Sequence, residues 1–150
     1  MKLINHISPK VRSRLPSLLM AAAMTFAEAI DTIEEAYEFM LAYAAQGRRR
    51  DDDEQGAGIR DRLTRVEAAL GVVASATADA IATGTQAAAA AEFLDVVKAD
   101  AARARAAFRL VLAQPSIGSQ MVDNLNATTH VRTLLTDLFL LDETIKISGL

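Results

Sequence analysis

The chain has 150 residues, 51% apolar but only 5% aromatic, with no Trp and a formal charge of −3. It has no Cys, which excludes disulfides, thiolate catalysis, zinc–thiolate sites and cysteine-ligated iron–sulfur clusters. The near-balanced charge argues against non-specific binding to nucleic acid, and a chain of this length can bury an adequate core as one domain, 1–150, without staples.

The opening segment, MKLINHISPK, has too short an apolar stretch for a signal peptide, so a cytoplasmic protein is expected. Ser8-Pro9 is a helix-start signal, since Ser can cap and Pro fits the first helical position. Pro16 interrupts this short turn and opens the first long helix, predicted over 16–46. Its apolar stripe, Leu15, Leu19, Ala22, Phe26, Ile30, Ile33, Tyr37, Met40 and Ala44, advances in steps of three and four. Gly47 closes it, and the arginines at 48–50 suit the negative end of the helix dipole.

GRRRDDDEQGAG, 47–58, reads as a loop, and RRRDDDE within it, Arg48–Glu54, as a flexible, solvated, nearly self-neutralising connection and the most mobile internal segment. The second helix is predicted over 59–83 from Ile59, Leu63, Val66, Leu70, Val73, Thr77 and Ile81, ending at Thr83-Gly84-Thr85. The third, over 86–114, carries Phe93, Val97, Ala101, Ala104, Phe108 and Val111 and stops before Pro115. The fourth, over 119–146, follows Met121, Leu125, Val131, Leu135, Leu138 and Ile145, with a bend expected at 126–129, where Asn and Thr can recap. No strand pattern and no longer repeat is visible. The short connections predict an all-α, antiparallel up-down-up-down four-helix bundle with a short N-terminal helical turn. No membrane span is expected, because the least charged stretch, 68–91, is mostly Ala, Thr, Gly and Ser.

Candidate sites are few. Glu28, Asp31, Glu35 and Glu38 share one helical face, but that face points away from the apolar stripe. Neither His6 nor His130 follows a Glu at the spacing a di-iron bundle uses, so no metal is expected. His130, near Asp123, Thr129 and Asp137, forms no triad with an activated nucleophile. Arg103, Arg105 and Arg109 share the third helix with Glu92, Asp95 and Asp100 and read as an ordinary charged face.

Two features stand out. One is the small-residue zone 68–91, with five successive Ala at 87–91. The other is LLTDLFLL, where Leu134, Leu135, Leu138, Phe139, Leu140 and Leu141 cover most of a helix circumference. Leu134, Leu135, Leu138 and Leu141 can serve the chain's own core, which turns Phe139 and Leu140 outward. The expectation is a non-enzymatic bundle acting through helix–helix contacts as a self-associating scaffold, adaptor or accessory subunit. These six residues would carry a protein partner or a second copy, with no cofactor and no catalytic residues. The alternative is a bundle holding a small apolar ligand or cofactor among Phe26, Tyr37, Met40, Phe93, Phe108 and Phe139.

Overall fold

The computed structural model describes residues 24–52, 58–80 and 86–148. They form five α-helices and no strand: α1 Phe26–Ala45, α2 Gly58–Ala74, α3 Ala87–Leu112, α4 Ser119–Ala127 and α5 Thr129–Ser148, with a 3₁₀ turn at Ala78–Ala80. The turn expected at Ser8-Pro9, the start at Pro16 and the break at Thr83-Gly84-Thr85 lie outside the described residues.

The helix boundaries follow from local chemistry. Thr25 has extended backbone angles and caps α1, its Oγ1 accepting the Glu28 N–H at 3.1 Å while its own N–H donates to the Glu28 carboxylate at 2.8 Å. This capping box corrects the expectation of one continuous helix from Pro16, because a helix cannot run through an extended Thr25. Gly47, at φ +65°, ends α1 in the left-handed conformation that glycine adopts without strain. α2 stops at Ala74, nine residues short of the expected 83. There the Ser75 hydroxyl donates to the Gly71 carbonyl at 2.7 Å, and the following Ala, Thr and Asp offer little apolar area to favour another helical turn. The bend expected at 126–129 is a full break. Thr128 is extended, its N–H and hydroxyl both bond the Leu125 carbonyl, and its own carbonyl accepts from Arg132 N–H in the first turn of α5.

α2 packs along both α1 and α3, α4 lies mainly against α1, and α5 against α3. The main core joins all five helices through residues such as Ile33, Met40, Leu70, Phe108, Leu125 and Leu138. Ala29, Ala36, Ala69, Ala101 and Ala104 are buried among them, where small side chains permit close helix approach. A second cluster, Ala76, Leu94 and Leu141 with Phe26 and Phe93 against it, closes one end. The small-residue zone divides: Ala68 and Ala69 are buried, whereas Ala88 and Ala89 are exposed. No helix among the described residues is long and apolar enough to cross a membrane.

Candidate functional site

The outer face of α5 is the first candidate. Leu134, Leu135, Leu138 and Leu141 fall on one side of the helix, and all four are buried inside this chain. Phe139 and Leu140 lie off that stripe and are 50% and 55% exposed. Successive residues turn by about 100°, so these two open adjacent directions and extend the apolar surface around most of α5. The other exposed large apolar residues among the described ones, Leu41 on α1 and Val96 and Leu110 on α3, do not adjoin one another in sequence.

The second candidate is polar and was not legible in the sequence. Asp51, from the charged connection, joins the α1–α2 loop to the α3–α4 loop. Its Oδ1 accepts the Ile117 N–H at 2.9 Å and the Ser116 hydroxyl at 3.1 Å, and its Oδ2 accepts Arg60 Nε at 2.8 Å. Arg60 goes on to donate to the Leu112 and Gln114 carbonyls, which satisfies the C-terminal end of α3. Beside it the Arg48 N–H donates to Ser119 Oγ, Ser119 N–H donates to the Arg48 carbonyl, and the Ser119 hydroxyl donates to the Tyr43 carbonyl at 2.6 Å. The buried Tyr43 hydroxyl donates to the Ile117 carbonyl at 2.6 Å. Arg48 and Asp51 are therefore docked, while Arg49, Arg50 and Asp52 are exposed, so the expected solvated connection is solvated only in part; 53–57 lie outside the described residues. Burial alone would raise the Asp51 pKa, but the Ile117 and Ser116 hydrogen bonds and the Arg60 charge outweigh it and hold the carboxyl below its ordinary value. An open groove of about 680 Å³ runs alongside, between the end of α1 and the start of α4, and is lined by Leu41, Ala44, Arg48, Arg49, Met121 and Asp123 among others.

Comparisons with protein families, with characterised proteins and with solved structures find no match to this chain.

The remaining expected sites separate in space or are already engaged. Arg105 and Arg109 both place Nε on Oε1 of the buried Glu67, at 2.7 and 2.8 Å, and Arg103 bonds Asp100, so the three arginines are tied into ion pairs. Glu28, Asp31, Glu35 and Glu38 are all exposed, as is His130. No group of three or more His, Asp or Glu among the described residues is placed to hold a metal ion. The six side chains of the ligand-binding alternative do not converge. Tyr37, Met40 and Phe108 line a void of about 10 Å³, Phe26 and Phe93 pack at the end cluster, and Phe139 faces outward. A void of that size is at the lower limit for a single water.

Proposed function

We propose that this chain is a non-enzymatic, cytoplasmic helical-bundle protein that works through helix–helix contact, as a self-associating scaffold, adaptor or accessory subunit. In this reading α1, α2 and α3 form three members of an antiparallel up-down-up-down bundle, and α4 with α5 stands in for the fourth. The outer face of α5 is the contact surface, for a second copy or another protein and not for nucleic acid.

The observation that supports this reading is the division of labour within LLTDLFLL. Four leucines already serve the chain's own interior, yet Phe139 and Leu140 beside them remain half exposed. Fully burying a large apolar side chain contributes roughly 1.5–3 kcal/mol, so a few such anchors can sustain association. The breadth of apolar surface on α5 is what a helix covered on more than one side requires. Sedimentation equilibrium of the purified protein tests the self-associating form. The native chain should exceed its 16.1 kDa monomer mass, and Phe139→Asp should shift it toward that mass with helicity retained. Unfolding of Phe139→Asp, with the native chain sedimenting as a monomer, would place Phe139 in the core and remove the support.

A further inference from the structure

The groove beside the end of α1 and the outer face of α5 are unlike surfaces with matching chemistry. The groove opens where Gly47 turns the chain out of α1 and Ser119 ties the start of α4 to Arg48 and Tyr43. Arg48 and Arg49 stand at its loop end. Back along α1 and out along α4 come Ala44 and Met121, then Leu41 and Asp123. Leu41 is 48% exposed there, and the small Ala44 leaves room for a side chain from outside. Helical spacing sorts the outer face of α5 in a similar way. Arg132, Thr136, the pair Phe139 and Leu140, and Glu143 follow at steps of three and four, and all are exposed. On both surfaces apolar side chains therefore lie between charges of opposite sign. The two surfaces cannot meet within one molecule. Leu141, next to Leu140, packs with Phe26 at the start of α1, whereas the groove lies at the other end of that helix. About 22 Å of helix separates Phe26 from Leu41.

Building on α5 as the contact surface, we propose that this groove receives the α5 outer face of a second copy of the chain. Phe139 and Leu140 of one copy seat against Leu41, Ala44 and Met121 of the other, and Glu143 faces Arg49. A second copy is favoured over an unrelated protein because both halves of the match are carried by this chain. The apolar anchors supply most of the affinity, while the opposed charges fix the orientation in which the two surfaces meet. The contact is heterologous: each copy offers one face and one groove, and filling either leaves the other available.

Sedimentation equilibrium of two full-length variants, alone and mixed, tests the pairing. Phe139→Asp spoils the face and keeps the groove; Leu41→Glu spoils the groove and keeps the face. Both positions are exposed, so both variants should retain native helicity. Each alone should sediment at the 16.1 kDa monomer mass, whereas an equimolar mixture should recover a two-chain species. Assembly of Leu41→Glu like the native chain, or a mixture that stays monomeric, would overturn the groove as the receiving surface while leaving α5 as the contact. A native chain that stays monomeric at every concentration would overturn both this pairing and the self-associating form of the α5 reading. Charge reversal leaves the apolar contacts in place. Arg49→Glu or Glu143→Arg alone should weaken association about fivefold, and the two together should restore it. A double variant as weak as either single one would overturn the pairing.

Discussion

At the residue scale, the largely covered carboxylate of the half-buried Asp51 and the buried amide of Asn126 have opposite outcomes. Asp51 has a donor for each oxygen, and hydrogen bonds to a charged group contribute about 1.5–3 kcal/mol net, so Asp51→Ala should destabilise the chain by about 2–3 kcal/mol in urea unfolding. The pH dependence of that loss has a definite sign. The folded Asp51 pKa is lowered, so its stabilisation is present above 3.8 and is lost as pH falls through the folded value. The gap between native and variant should shrink in acid. Asn126 is only 5% exposed, and neither its Oδ1 nor its Nδ2 has a hydrogen-bond partner among the described residues. Leaving buried polar groups unmatched costs about 1–3 kcal/mol, so Asn126→Val, apolar and closer to the amide in size than Leu, should raise stability in the same assay. A fall would show that the amide is bonded in solution, through a water for example.

At the element scale, helices were legible wherever large apolar residues recur at helical spacing, because that period decides which face can be buried. The α1 stripe from Ile30 to Met40 and the α3 stripe from Val97 to Val111 both read directly into the core. Gly47 and Pro115 also mark real ends. What the pattern could not show was the competition at a helix end between apolar reward and local polar bonding. Thr25 with Glu28 starts α1 later than Pro16 suggested, and Ser75 stops α2 before Thr77. The docking of Asp51 was illegible for another reason: its partners Ser116 and Ile117 lie 65 and 66 residues away, and no periodicity links two loops. Gly118 completes that junction. A Cβ there would come within 2.9 Å of the Arg49 carbonyl oxygen and 3.1 Å of that of Arg48. Because backbone atoms cannot swing aside as a side-chain tip does, Gly118→Ala should push the loops apart and lower stability by about 1–3 kcal/mol. Limited proteolysis should then cut at 48–52 faster than in the native chain, and unchanged cleavage would show that the junction tolerates separation.

At the scale of the whole molecule, helix propensity and surface patterning answer different questions. Abundant Ala favours helix and, where buried, close helix packing. The sequence of α5 foretold which leucines could turn inward and which neighbours would remain outside, and the structure places them on those sides. The partner proposed for the outer residues was not legible, because complementarity resides in a second surface. Isolated exposed apolar residues are common on monomers, so exposure by itself is weak support. Leu110 provides the comparison: at 67% it is more exposed than Phe139, yet it lies on α3 outside the proposed contact face. The most direct measurement is therefore co-purification at native abundance, with mass determination of whatever stays bound to the native chain, to Phe139→Asp and to Leu110→Asp. The account predicts a protein, a second copy or another chain, retained by the native chain and by Leu110→Asp but lost from a still-helical Phe139→Asp. Equal retention by both variants, loss from Leu110→Asp alone, or a small molecule as the bound species would contradict it.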